Sequence, residues 1–324
     1  MPFGLLLPHF GEHADAQLII EGSRQAESLG FSSVWVRDHL LFEPHGEFEK
    51  PDATFYEALT VLTAVGASTT RLQLGTGALI PFRHPVHTAL ITATMTQFFG
   101  PRVILGIGAG NFDHEFELVG LGDAARPELV AENVRLMRRL WSEQQVTHDG
   151  PVFPVERATL EPRPAGGPVP LWYCGNTPRS ARLAVEFCDG WLPGRIGIET
   201  LRARAGLLSE KSAEAGRPRP AIGMIPPTSI AATRERALAG VNVDGLLAWA
   251  NKARFWVKPP AGRFETIGDL EGVLVCGAPD DVVEQCGRLL EAGAEHIVFD
   301  MRLSYERWQE QIDLLGREVL PKLR

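Results

Sequence analysis

Cysteine is scarce in this sequence and never paired by spacing. Cys174, Cys188, Cys276 and Cys286 are the only four in 324 residues, and no C-x-x-C occurs. Nothing in that pattern resembles a thiolate zinc site or a disulfide framework, and a reducing compartment suits it. Long hydrophobic runs are also missing. No window approaches the 18 or so apolar residues that a membrane span needs, so no membrane partner is expected. Positive charge is in deficit, with 32 Lys and Arg against 40 Asp and Glu, a formal net charge of −8. Nucleic acid wants a basic face and is therefore not an expected partner. The opening residues, MPFGLLLPHF, lack a basic n-region, and Pro8 cuts their apolar run short. They read as a first strand and not as a signal peptide, and the expected location is cytoplasmic.

What is present is a rhythm of short apolar strands and amphipathic helices. Gly4 to Pro8, Ser32 to Val36, Arg71 to Ile80, Arg102 to Gly110, Pro170 to Cys174, Gly190 to Pro193, Ala221 to Ile225 and His296 to Met301 read as eight strands. Helical spacing follows each, as in Asp15 to Leu29, where Gly30 supplies the C-terminal cap, and in Glu128 to Trp141. Two stretches depart from the rhythm. Residues 145–168 suggest a small hairpin at Asp149-Gly150, and about 226–272 reads as an insertion carrying helices near Thr233–Ala239 and Gly245–Phe255. Strict alternation argues for a parallel sheet, and eight units of it for a closed (β/α)8 TIM barrel, an α/β fold. The expectation is one domain over residues 1–324.

In such a barrel the active site lies at the C-terminal ends of the strands. Those ends read Arg37-Asp38-His39, Gly77-Ala78, Gly108-Ala109-Gly110-Asn111, Gly175-Asn176-Thr177 and Pro193-Gly194-Arg195. Small residues there would leave room for a large flat ligand. Taken singly, each signal has a bland counterpart. An Asp-His pair is as readily a structural salt bridge as a catalytic one. Gly175-Asn176-Thr177-Pro178 precedes a helix, so it is either a phosphate cradle or an ordinary N-cap. GIGAGN runs G-x-G-x-G and not the dinucleotide-binding G-x-G-x-x-G. His84, between Pro81 and Pro85, shapes a loop, and Trp172 and Trp191 belong to the core.

Taken as a set, GFSSVWVRDHL, RLQLGTGALIPFRHPV, RVILGIGAGN, LEPRPAGGPVPLWYCGNTPRSARLA and DGWLP resemble the luciferase-like flavin and deazaflavin oxidoreductases. The resemblance is good over roughly residues 1–195 and fades across 226–272. It implies a barrel that binds coenzyme F420 or FMN in its mouth, a small-molecule substrate and a homodimer. The Asp-His pair and the GTGALIPFRHP strand are closer to the F420 branch than to the bacterial luciferases. By that resemblance His39 is the active-site histidine, and Asp38 contacts the cofactor and orients His39. Gly77 and Ala78 form a non-prolyl cis peptide behind the ring. Asn111, or alternatively His114, touches the ring or its tail, and Gly175, Asn176 and Thr177 hold the phosphate. Arg179 and Arg195 are candidate helpers for the anionic tail. No set of lysines follows the strands to hold a sugar phosphate, so the sugar-phosphate dehydrogenases of that branch fit less well. The alternatives within the same fold are an FMN-dependent monooxygenase and a cofactor-binding barrel without catalysis.

Overall fold

The computed structural model describes residues 3–43, 52 and 54–323, so most of the loop expected over Glu43–Asp52 lies outside the described residues. In chain order the elements are β1 (Phe3–Leu6), α1 (Ala16–Leu29), β2 (Ser33–Val36), α2 (Ala58–Ser68), β3 (Gln73–Thr76), α3 (Pro85–Phe99), β4 (Val103–Gly108), α4 (Asp113–Leu118) and α5 (Arg126–Ser142). A hairpin of β5 (Val146–His148) and β6 (Val155–Ala158) follows, with Asp149-Gly150 in its connection. Then come β7 (Leu171–Cys174), α6 (Pro178–Phe187), β8 (Gly190–Leu192), α7 (Ile198–Ala215) and β9 (Ala221–Met224). The remainder is β10 (Thr228–Ile230), α8 (Arg234–Leu238), α9 (Val243–Lys252), β11 (Val275–Gly277), α10 (Pro279–Glu291), β12 (His296–Phe299), α11 (Trp308–Leu314) and α12 (Leu320–Leu323).

Eight parallel strands close a barrel in the order β1-β2-β3-β4-β7-β8-β9-β12, back to β1. These are the eight apolar runs of the sequence. The helix boundaries follow local chemistry. Asp15 caps α1 by accepting from the Leu18 amide at 2.7 Å, and Gly30 ends it at φ 86°, a left-handed angle that glycine adopts without a Cβ penalty.

The base of the barrel is filled by Trp35, Trp172 and His296. The two indoles lie 5.6 Å apart, and the imidazole sits 5.4 Å and 5.8 Å from them. Ser33 links the group, its Oγ accepting from Trp35 Nε1 at 2.8 Å and lying 2.9 Å from His296 Nε2. Glycines on neighbouring strands make way for these rings. A Cβ on Gly75 would sit 2.3 Å from Trp35 Cδ2, and one on Gly190 would sit 2.3 Å from Trp172 Cδ2. Those two strand glycines serve the packed core.

Three other features escape the sequence pattern. Within 226–272 and just beyond it, β10 pairs in parallel with β11 as a separate two-stranded ladder. Three-residue strands are too short to show a period. Helix α4 spans six residues without a side-chain cap, too short to announce itself by apolar spacing. The closing helix expected over Tyr305–Leu323 opens with a 3₁₀ turn at Arg302–Arg307, kinked at Ser304, and contains a π turn at Leu315–Val319.

The packing around Trp35 yields a test. Gly75→Ala should destabilise the fold by about 1–3 kcal/mol through overpacking. Gly206→Ala, on the exposed side of α7 with open space around it, should stabilise by about 0.5–1 kcal/mol. Urea midpoints of the two variants, moving in opposite directions, check the assignment.

Candidate functional site

A cavity of about 750 Å³ opens at the C-terminal ends of the barrel strands. Its floor includes Leu6, Leu192 and Ile225. One lip is mostly backbone, made by Gly77 and Ala78 after β3 and by Gly108 to Gly110 at the end of β4. The Gly77–Ala78 peptide is cis. Smallness is required here, since a Cβ on Gly108 would come 2.9 Å from Ala78 Cβ and one on Gly77 would come 2.7 Å from Ile225 Cδ1.

Asp38 and His39 both line this cavity, yet they are tied to different partners. Asp38 is buried. Its carboxylate accepts from Arg83 Nη2 at 2.6 Å and Nε at 3.2 Å, and from the Ile80 amide at 3.0 Å. Burial pushes the Asp38 carboxyl up, while the guanidinium and the amide oppose that shift. The contact pins the exit of β2 to the segment after β3. His39 instead places Nδ1 3.1 Å from Oε2 of Glu115, among the rings of Phe42, Phe55 and Phe112. Glu115, fully buried on α4, also accepts from the amides of Leu40 at 2.6 Å and Leu41 at 3.2 Å. Burial raises its carboxyl, but His39 and the two amides outweigh that and hold it below the ordinary value. The expectation that Asp38 orients His39 is therefore corrected. Arg83 and the Ile80 amide hold the Asp38 carboxylate, while Glu115 meets His39.

Asn111 lines the cavity, whereas His114 does not. The His114 imidazole stacks on Phe112 at 5.5 Å, with Nε2 3.1 Å from the Leu41 carbonyl. Gly175, Asn176 and Thr177 form the opposite wall. Thr177 is a true N-cap, its hydroxyl oxygen accepting from the Ser180 amide at 3.1 Å, and Pro178 opens α6. The amides of a helix's first turn have no partner within the helix, so this cap is also an anion-facing terminus.

The cations at the mouth are Arg37, Arg179, Arg182, Arg195 and Arg302, and among the described residues no lysine lines the cavity. Arg179 pairs with Glu128 at 2.6 Å, and Arg195 packs 4.9 Å from the Trp249 ring. Arg37 and Arg302 lie 4.7 Å and 5.2 Å from the centre of the Phe10 ring, and Arg302 meets Asp300 at 2.6 Å. Trp249 and Phe255, from the insertion, form an aromatic edge.

Sequence reasoning missed Arg83, Glu115, Arg182 and Arg302. Arg83 stands in the quoted GTGALIPFRHP segment, but nothing local says which acid it meets. Glu115 is one of three acids on α4, and spacing alone cannot choose among them. No cluster of three or more His, Cys, Asp or Glu capable of holding a metal occurs among the described residues. No helix among them is long and apolar enough to cross a membrane.

The sequence profile of the luciferase-like monooxygenases matches residues 1–296. The chain belongs to that family. A luciferase-like relative, the F420-dependent glucose-6-phosphate dehydrogenase of Nakamurella multipartita, is 30% identical over 314 residues, covering 92% of this chain and 90% of the relative. The 5,10-methylenetetrahydromethanopterin reductase of Archaeoglobus fulgidus is 26% identical over 327 residues, with 92% and 93% covered. Among solved structures, an F420-dependent secondary alcohol dehydrogenase in complex with an F420-acetone adduct superposes with a TM-score of 0.82 at 23% identity, covering 100% of this chain and 99% of that one. At that identity the likeness speaks for the fold alone.

Two of the histidines considered at this end of the barrel or beneath it are held neutral. His9 is fully buried between the carbonyls of Leu7 and Arg37, and burial pushes it down to about 4, as it does His296. A depressed folded value gives stability that is present above the unfolded value near 6.5 and lost as pH falls through about 4. Each group should cost roughly 3 kcal/mol by pH 4. Urea titrations from pH 7 to 4 should show that fall, and His296→Gln should make it shallower.

Proposed function

We propose that this chain is a coenzyme F420-dependent oxidoreductase that moves hydride between the deazaflavin and a small organic substrate. The observation that carries the reading is the pairing of a backbone-lined lip with an anion-facing helix terminus across one cavity. The lip is flat because side chains are absent from it, and a Cβ on Gly108 would fill the space. Gly77, Ala78 and Asn111 would lie against the ring, and Asp38 would shape that wall through Arg83 and the Ile80 amide. Gly175, Asn176 and Thr177 would hold the phosphate, with Arg179, Arg182 and Arg195 toward the anionic tail. His114 is dropped from the set because it stands outside the cavity. Bound there, the coenzyme supplies a two-electron hydride carrier. The protein supplies position and a proton relay. His39 is the residue for that relay, since it lines the cavity and an imidazole can both accept and donate a proton.

The F420-dependent relatives support this reading over an FMN-dependent monooxygenase. Residues 1–324 would act as one domain, with 226–272 contributing Trp249 and Phe255 to the substrate side. A homodimer is proposed through α2 and α3. Neither helix contains a Lys, Arg, Asp or Glu, and α3 exposes Leu90 (39%), Ile91 (41%) and Phe98 (78%). A helix apolar on several sides wants cover. The four cysteines are all free thiols, which suits a cytoplasmic location.

Equilibrium titration tests the cofactor. F420 should bind at least about tenfold more tightly than FMN, a difference of about 1.4 kcal/mol. The reverse order would overturn the assignment in favour of the monooxygenase. With a substrate found by screening alcohols and carbonyls, His39→Ala should lower kcat by about 10²–10⁴ while leaving F420 affinity nearly unchanged. Light scattering should report a dimer for the native chain and a monomer for Phe98→Asp.

A further inference from the structure

Glu115 accepts three hydrogen bonds with two oxygens. Oε1 takes the amides of Leu40 and Leu41, and Oε2 faces Nδ1 of His39 at 3.1 Å. The carboxyl is fully buried and held below its ordinary value, so at neutral pH it is an acceptor only. The proton in its contact with the imidazole must then sit on Nδ1. In a neutral imidazole that leaves Nε2 as the acceptor nitrogen. Asp38 does not take this role: its carboxylate accepts from Arg83 and the Ile80 amide, and the His39 ring meets Glu115 instead. Nor can the His39 ring turn over freely among Phe42, Phe55 and Phe112, each within 5.3 Å of it.

We propose that Glu115 is a positioning residue that fixes His39 as the Nδ1–H tautomer, so that Nε2 exchanges the substrate proton in the cavity. In the oxidation of an alcohol its hydroxyl proton would pass to Nε2, and the coenzyme, where bound, would supply the acceptor for the hydride on its carbon. In the reverse direction the imidazolium returns that proton to the carbonyl oxygen. The catalytic half of this statement rests on the F420 reading above, and the tautomer does not. A second consequence follows from the two amides. The same carboxylate that orients the ring also anchors the backbone at Leu40 and Leu41, so ring orientation and the start of the following loop are set together.

The alternative is that Glu115 only staples that backbone. Glu115→Gln separates the two, because it keeps the shape and leaves one acceptor oxygen. If that oxygen stays on the two amides, the NH₂ group faces His39 and forces the proton onto Nε2. The primary readout is the ¹⁵N chemical shifts of the His39 ring in the protein without cofactor at pH 8, assigned by their loss in His39→Asn. The native chain should show Nδ1 protonated, and Glu115→Gln should interchange the two nitrogens. With F420 and a substrate, kcat should fall by about 10²–10⁴ with KM and F420 affinity changed less than about threefold; a wrong tautomer costs a serine-protease triad about 10⁴. A native spectrum with the proton on Nε2 overturns the proposal whether or not the variant folds. So does a folded Glu115→Gln with unchanged tautomer and kcat. If F420 fails to bind while Nδ1 is protonated, the functional reading fails and the tautomer assignment stands.

Discussion

Two buried carboxylates stand behind one wall of the cavity, and the rest of the site depends on them. Asp38 and Glu115 each satisfy two or three donors, and each reaches across to a different segment of the barrel rim. Removing one partner of a buried charge pair costs about 3–5 kcal/mol, because the remaining charge is left without compensation. That cost makes the end of β2 a fixed object. Its two adjacent side chains, Asp38 and His39, are held by different partners, Asp38 by Arg83 and the Ile80 amide and His39 by Glu115.

Opposite this wall the charge balance reverses. The chain as a whole carries a formal net charge of −8, yet five arginines edge the cavity. Two of the five are paired with carboxylates, Arg179 with Glu128 and Arg302 with Asp300, and the cations give the opening a more positive field than the surface at large. The N-terminus of α6 adds its dipole at the same end. The aromatic edge of Trp249 and Phe255 comes from the insertion, so the two sides of the cavity mouth have different origins in the chain.

The barrel was legible in the sequence because parallel strands buried on both faces read as apolar runs, and eight of them could be counted. The Gly77–Ala78 lip and the Gly175–Thr177 terminus were legible for a related reason: glycine and helix caps leave local signatures. Partners joined across the fold left none. Arg83 lies 45 residues from Asp38, and Glu115 lies 76 from His39. Only the closed barrel brings them together. The purpose of the strand glycines was not legible, since Gly75 and Gly190 yield space to tryptophans and a missing side chain does not announce what fills the gap. The ladder of β10 and β11 was hidden by its three-residue strands.

A crystal structure of the chain soaked with oxidised F420 tests the central claim most directly. The predicted density places the deazaflavin ring against Gly77 and Ala78, its phosphate on the amides at Asn176 and Thr177, and His39 Nε2 facing the open side of the ring. Density with the phosphate instead at Arg37 and Arg302, or with the ring outside the lip formed by Gly77 and Gly108, would contradict it.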